Sequence, residues 1–446
     1  MRLAETVTLP PGGVESLPDR DRIRARLEEA RERTLSLVAP LAEADLDRQH
    51  SSLVSPLAWD LGHIAAFEDL WLSRSTPGAE PLRPALWDVY DATETPRAGR
   101  GDLAYLPCAE ATAYLGEVHE RALGLLERAD LSPGRDSLHA GGYVWDLLIE
   151  HEHQHNETML QAMQLAPAGT FRARPAAPPA ACPWAPLGSD AVRVEAGPCP
   201  IGADGDGFAY DNERPRHEVE VAAFEIDRTP VTAGAYRAWI EDGGYRRPEW
   251  WSPEGWSWRR AEGAERPLFW TADGRLRRFD AIEPIDPSEP VMHVSWFEAD
   301  AFARAHGRRL PTEVEWEKAA TWDRAAGRRR RLPWGDAPVD RSRANVDVVG
   351  FAPAPVGAYP DGASAYGVLG LLGDAWEWTA SDFSPYPGFR AHPYPEYSEV
   401  FFGRGLKVLR GGSWATRPPV ARPTFRNWDL PQRRQLFAGF RCAADA

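Results

Sequence analysis

In the first third of the chain, apolar residues recur every three to four positions in four stretches. That is the period of helices with one buried face. Residues 19–46 read as an amphipathic helix with a charged outer face. A second helix is expected to start at Ser55-Pro56, with Ser55 as N-cap and Pro56 at the first helical position. It runs through Trp71, and its inward stripe is Asp60, His63, Phe67 and Leu70 or Trp71. Residues 110–129 give a third helix, with Ala113, Leu115, Val118, Leu123 and Leu126 as its apolar positions. Residues 142–165 give a fourth, built on Val144, Leu147, Leu148, Met159 and Met163. Four such segments predict an antiparallel bundle.

The fourth stretch contains the anomaly. Its apolar stripe continues through positions 151 and 155, and both are histidine. At i and i+4 the two imidazoles leave one helix face about a turn apart. His153 lies two residues from each and points elsewhere. Burying two imidazoles without partners is costly, so a helix seldom places them on its inner stripe without reason. One reading is a pair of hydrogen-bonded core histidines. The other is that the pair grips a metal ion, since His-x3-His on a helix is a metal-binding geometry. A pair needs further ligands, and His63 is a third imidazole on a predicted inward stripe.

Beyond residue 165 the texture changes twice. Residues 166–189 are rich in Ala and Pro and read as a semi-rigid linker. From about 190 to 446, short strand-like runs (Val192–Glu195, His217–Val221) alternate with Gly/Pro turns. Helical patches fall at Ala233–Glu241, Trp296–His306 and within Arg309–Ala320. The chain thus reads as an α+β multidomain protein: a bundle over 19–165, a linker over 166–189 and a mixed domain over 190–446.

Composition narrows the function. At 446 residues the chain is too long for one ordinary core. Its net charge of −15 argues against nucleic acid as a partner. The four cysteines, Cys108, Cys182, Cys199 and Cys442, are scattered, with no C-x-x-C pair. That suits a reducing, cytoplasmic setting without a disulfide framework. No apolar run approaches the ~20 residues of a membrane span, and the N-terminal residues lack the apolar stretch of a signal peptide. The expected partners are small molecules, not membranes or nucleic acid, and the expected state is a monomer.

Gly307-Arg-Arg-Leu-Pro-Thr-Glu-Val-Glu-Trp-Glu-Lys-Ala-Ala320, Trp334-Gly-Asp336, Trp376-Glu-Trp-Thr379, Val408-Leu-Arg-Gly-Gly-Ser-Trp414 and Gly439-Phe-Arg-Cys-Ala443 resemble the formylglycine-generating-enzyme, or sulfatase-modifying-factor, domain. The resemblance covers 190–446 and implies an irregular fold related to C-type lectins. Oxidases of that family use two cysteines five residues apart near the C-terminus. Cys442 matches the second, but position 437 is Phe, so sulfatase maturation is not expected. Residues 19–165 resemble the DinB-like bundle. The combination, with His151-x3-His155-x-Glu157, resembles the sulfoxide synthases of ergothioneine biosynthesis. These are non-haem iron enzymes that use O2 to join the thiol of γ-glutamylcysteine, or of cysteine, to C2 of the hercynine imidazole.

The resemblance assigns Fe(2+) to His63, His151 and His155. Glu157 belongs to the motif but faces away from the pair. Gln154 matches a position that contacts hercynine, and Asn427, Trp428 and Asp429 match the segment lining the substrate site. Arg97 and Arg100 resemble the pair that binds the γ-glutamylcysteine carboxylates. Tyr394 is the best match for the catalytic tyrosine, with Tyr397 its neighbour and Tyr386 a further candidate.

The residue types suit that chemistry. Three neutral imidazoles leave iron(II) three open positions, for a thiolate, the substrate imidazole and O2. Aromatic faces suit a trimethylammonium group, and arginine forks suit carboxylates. The arginine pair leads us to expect a preference for γ-glutamylcysteine over cysteine. Two other functions stay open at this point. One is an ovothiol-type synthase joining cysteine to unmethylated histidine, although no fused methyltransferase motif is evident. The other is a non-catalytic DinB-like protein that binds a thiol or other ligand.

Overall fold

The computed structural model describes residues 19–134, 137–173, 190–205 and 207–446. Most of the Ala/Pro-rich linker, including Cys182, and the N-terminal residues read for a signal peptide lie outside these. The chain divides into two compact units, 1–172 and 173–446.

The first unit is built on four long helices: α1 (Asp19–Val38), α2 (Leu57–Ser75), α3 (Cys108–Arg128) and α4 (Tyr143–Leu165). α1 packs against α3 and α4, and α2 packs against the same two. Consecutive helices α1 and α2 therefore stand diagonally across the bundle. The expected single helix over 19–46 ends at Val38, and a separate short turn of helix covers Glu43–Leu46.

Three local expectations are corrected. Pro56, not Ser55, occupies the N-cap of α2, and no side chain caps that end. Ser55 instead accepts a hydrogen bond from Arg100 Nη1 at 2.8 Å. The inward stripe of α2 is also too narrow a description. Only Phe67, Leu70, Ser73 and Arg74 escape full burial. A helix enclosed on nearly every side needs apolar or paired residues all round, and Ala58, Leu61, Ile64, Ala65 and Leu72 supply them. On α3 the buried face is Ala111, Tyr114, Leu115, Val118, Ala122 and Leu126, while Ala113 is exposed and Leu123 half-buried. That face follows the i, i+3, i+4 rule more strictly than the stripe read from sequence.

A polar centre lies inside this apolar bundle. Arg31 of α1 donates to Glu68 of α2 at 2.6 Å, to Glu152 of α4 at 2.9 Å and to the Leu115 carbonyl of α3. One side chain thus engages the other three helices. Thr34 Oγ1 adds a hydrogen bond to Glu152 at 2.6 Å. Burial pushes the Glu68 carboxyl up to about 7; Glu152 adds to this and Arg31 opposes it.

The second unit has short elements and long irregular stretches. Helices α5 (Ala233–Glu241), α6 (Pro253–Glu262), α7 (Trp296–Ala305) and α8 (Glu313–Thr321) surround small sheets. Ser295 and Thr312 cap α7 and α8 reciprocally with Glu298 and Glu315. α6, with Ser252 as N-cap and Pro253 at its first position, was not among the helices read from sequence. Antiparallel strands β1 (Ala191–Val194) and β2 (Phe224–Asp227) form a three-stranded sheet with the C-terminal Ala443–Asp445. A four-stranded sheet contains β3 (Trp376–Asp382), β4 (Lys407–Arg410) and β5 (Asn427–Asp429), with β4 between the other two. Trp428 lies opposite Val408 in this ladder.

Where backbone ladders are short, buried ion pairs hold the loops. Glu313 and Glu317, one turn apart on α8, both accept from Arg410. Glu313 also takes a two-pronged contact from Arg426, at 2.8 Å each. Glu377 takes another from Arg441, at 2.6 Å each. Such fork-to-carboxylate pairs fix geometry as well as charge.

Candidate metal centre

His63, the seventh residue of α2, faces His151 and His155 of α4. One ligand atom from each of the three lies within 4.8 Å of the other two. His63 Nε2 and His151 Nε2 are 3.2 Å apart. Among the described residues this is the cluster of His, Cys, Asp and Glu that could hold a metal ion.

The surroundings orient each ring. His63 Nδ1 donates to the Tyr90 carbonyl at 2.6 Å. That fixes its tautomer and leaves the Nε2 lone pair facing the cluster. His155 Nδ1 sits 3.2 Å from Asp60 Oδ1, one turn before His63 on α2. A carboxylate or carbonyl behind a histidine ring is the usual support of a metal ligand. Trp59 stacks on His63 with centroids 4.8 Å apart, and Phe67 stacks on His151 at 3.7 Å. Tyr90 reaches this position because Gly62 lets it. A Cβ at residue 62 would lie 2.2 Å from the Tyr90 ring.

The donor set fits a metal. Burial pushes the His63 and His151 imidazoles well below their ordinary pKa, with His155 adding to both shifts. Both are therefore neutral at neutral pH, the state in which imidazole is a ligand. His153 points away from the cluster: its Nε2 is 3.8 Å from Glu29 of α1, and the ring is buried. Glu157 is also buried off the cluster's face. Gln154 and Thr158 are half-buried beside His151 and His155 on α4. Gln154 Nε2 donates to the Glu150 carbonyl at 3.3 Å, a weak contact it can give up.

Arg97 and Arg100 occupy a two-turn 3-10 helix over Arg97–Asp102. Arg100 is buried, with its guanidinium 3.7 Å from the centre of the Trp59 ring. It donates to Ser55 Oγ and to the carbonyls of Thr95 and Ala92. Arg100 therefore continues the stack that begins at His63 and ties down its own loop. Arg97 is half-exposed, and its guanidinium has no carboxylate partner among the described residues.

In the second unit the structure brings Tyr394, Tyr397 and Trp428 together. Tyr394 and Tyr397 are 6.2 Å apart edge to face, and Tyr397 and Trp428 are 5.7 Å apart in the same manner. Trp428 stacks on Phe383 at 4.2 Å. Asn427 and Asp429 flank it on β5, half-buried. Asp429 Oδ1 accepts from the Leu430 amide at 2.7 Å. Tyr386 stands apart: it is buried, its hydroxyl is 3.4 Å from both Glu313 and Arg410, and Arg426 lies 4.1 Å over its ring. Burial, with Glu313 adding to it, pushes its phenol well above the ordinary tyrosine range. Cys442 is buried with its thiol pushed far up, and Phe437 packs at 4.5 Å against Trp414. Position 437 thus fills an aromatic core.

Sequence reasoning missed Trp59, Phe67 and Tyr90 as supports of the site. Trp59 and Phe67 are each four residues from His63, so helical spacing carried their signal. Tyr90 comes from a separate segment, and only the glycine at 62 hinted that something approaches α2 there.

Residues 182–446 match the model of the sulfatase-modifying factor enzyme 1-like domain, and residues 26–159 match that of the DinB superfamily. The chain is 47% identical over 438 residues to a hercynine oxygenase of Mycolicibacterium thermoresistibile, covering 96% of each chain. It is 46% identical to the hercynine oxygenase of Mycolicibacterium smegmatis, covering 96% of this chain and 99% of that one. It is 47% identical to that of Mycobacterium tuberculosis, covering 95% and 99%. No helix among the described residues is long and apolar enough to cross a membrane. With a DinB-like bundle carrying a three-histidine cluster, a formylglycine-generating-enzyme-like second domain and near end-to-end similarity to these oxygenases, the chain belongs to the hercynine oxygenase family of enzymes.

Proposed function

We propose that this enzyme joins the thiol of γ-glutamylcysteine, or of cysteine, to C2 of the hercynine imidazole as a sulfoxide, using O2 and iron(II) held by His63, His151 and His155. The observation that carries the metal assignment is the meeting of three oriented imidazoles at one point. The reaction balances without an outside reductant. The thiol S–H and the C2–H bonds break, and one C–S and one S–O bond form. The two hydrogens leave with the second oxygen atom as water, and both substrates together supply the four electrons that O2 takes up.

When bound, the iron would activate O2 and acidify the substrate thiol. The chain's own residues do the rest. Asp60 and the Tyr90 carbonyl hold the ligand rings in place. Gln154 contacts hercynine, and Asn427, Trp428 and Asp429 line its site. Trp428 and Tyr397 offer aromatic faces to its trimethylammonium group, and the Asp429 carboxylate complements that charge. Tyr394, half-buried, supplies a proton from its hydroxyl, a role for which the buried, hydrogen-bonded Tyr386 is less suited. Arg97 and Arg100 receive the carboxylates of γ-glutamylcysteine. Arg100 already serves three acceptors, so Arg97 carries the more available fork.

The test is an assay of the iron-loaded enzyme with hercynine, O2 and either thiol, read by mass. The expected product has the summed mass of both substrates plus one oxygen less two hydrogens, with one O2 consumed per product. No such product with either thiol, or preference for unmethylated histidine over hercynine, would overturn the assignment.

A further inference from the structure

Outside the metal cluster, the segment Tyr210–Glu213 is unusual. It is short and fully buried, and it touches both of the second unit's proposed substrate-lining segments. Asp211 Oδ2 accepts from the His392 amide at 3.2 Å, and Asp211 Oδ1 accepts from Ser398 Oγ. Asn212 Nδ2 donates to the same Ser398 Oγ at 3.0 Å. Tyr210 stacks on Tyr397 with centroids 4.1 Å apart and planes 13° apart. Both ends of the loop 392–398, and Tyr397 beside the second end, are thus fastened to three consecutive residues. That loop carries Tyr394 and Tyr397.

The same segment reaches the other side. The Asn212 carbonyl accepts from Arg426 Nη1 at 2.9 Å, one residue before Asn427. Glu213 accepts from Arg422 at 2.6 Å and from Thr424 Oγ1 at 2.6 Å. β5 and the tyrosine loop therefore share one support. Burial of this kind is costly for carboxylates unless each oxygen is satisfied, and here both oxygens of Asp211 and of Glu213 are. Burial pushes the Asp211 carboxyl up to about 6, against the pull of its hydrogen-bond donors, so it is mainly ionised at neutral pH.

We infer that Asp211 is a positioning residue for the reaction: with Tyr210 and Asn212 it sets where the Tyr394 and Tyr397 rings stand relative to Trp428. This rests on the proposed role of those tyrosines. The mechanism is geometric. A loop of seven residues with two prolines has few backbone ladder bonds of its own, and displacement of a catalytic group by about 1 Å can cost on the order of a hundredfold in rate. Asp211→Asn keeps the size but leaves a single acceptor oxygen, so the side chain can no longer accept from both the His392 N–H and the Ser398 hydroxyl.

The full-length, iron-loaded enzyme and its Asp211→Asn variant are compared by amide hydrogen exchange and by steady-state kinetics. Faster exchange across 392–398 is expected, with kcat lowered about ten- to a hundredfold and iron content unchanged. The same substitution made on Tyr394→Phe/Tyr397→Phe should lower kcat much less, because the groups it positions are gone. Ser398→Ala, which removes the hydroxyl shared by Asp211 and Asn212, should act in the same direction and serves if Asp211→Asn does not fold. Unchanged exchange, or an equal loss of kcat in both backgrounds, overturns the inference. Wild-type turnover in Tyr394→Phe and Tyr397→Phe alike overturns the tyrosine assignment itself, a separate outcome that the exchange data do not affect.

Discussion

The two units of this chain solve the problem of holding polar groups inside a protein in opposite ways. In the bundle, one arginine links all four helices. Arg31 stands at the centre of four regular helices, and the helices themselves deliver His63, His151 and His155 to one point. In the second unit the backbone is irregular, and several fully buried arginines take over its work. Arg410, Arg426 and Arg441 each lie at 1% exposure or less and each meets at least one buried carboxylate. Regular backbone positions side chains through its period, whereas irregular backbone needs explicit ties between loops. The bundle can therefore carry a site on a few residues, while the second unit distributes that task over many.

The largest expected effect tests the first half of this contrast. His63→Ala or His155→Ala should abolish iron retention and lower activity by more than the roughly hundredfold attributed to loss of a supporting partner. His153→Ala should keep the metal. Iron content by elemental analysis, measured beside activity, decides this, and retained iron in His63→Ala would remove that residue from the ligand set.

The second half is tested by Arg426→Met. It leaves Glu313 short of its two-pronged partner inside the protein, which should cost about 3–5 kcal/mol. Denaturant unfolding of the second unit's transition would report it. A loss below about 1 kcal/mol, in the range of exposed pairs, would show that the ties are ornamental and the contrast false.

Next comes thiol choice. Arg97→Ala should weaken use of γ-glutamylcysteine by about ten- to a hundredfold, the equivalent of one charge-assisted contact. Use of cysteine should change less. Arg100→Ala should disturb both thiols, because Arg100 also stacks on Trp59 and fastens its loop. Equal losses for both thiols in Arg97→Ala would show that this arginine does not read the glutamyl group.

The smallest effect concerns Glu68. Its carboxyl titrates near 7 in the folded chain, above the 4.5 of a free glutamate. The folded state thus holds a proton that the unfolded state has already lost, so this group makes stability fall as pH rises from about 4.5 to about 7 and then level off. Glu68→Gln should flatten that slope in unfolding curves measured across the interval. An unchanged slope would place the proton elsewhere.

This contrast also explains what could be read from sequence. The histidine triad was legible because a helix converts spacing into direction: positions 151 and 155 had to share a face, and 153 could not. The strands and helices near 192, 217, 233, 296 and 313 were legible from turn residues and short apolar runs. The extent of burial around α2 was not, because periodicity describes one helix and not how many neighbours it has. Nor were the partners of the second unit's arginines. Arg426 and Glu313 are 113 residues apart, and no local pattern links them. The dual duty of Arg100 escaped for the same reason: its acceptors include Ser55, 45 residues earlier.

Gly62 remains, next to His63 along the helix and packed against the Tyr90 ring. Because a single added methyl would displace Tyr90, whose carbonyl orients His63, the smallest residue of the Asp60–His63 turn is the least replaceable by anything larger. For anyone reshaping this oxygenase toward other thiols, the consequence is practical. Libraries can vary Arg97 itself, but they should leave position 62, and the buried Arg100 that fastens the same loop, untouched. Diversity introduced there would be spent on variants whose His63 ring has lost its support before they meet a new substrate.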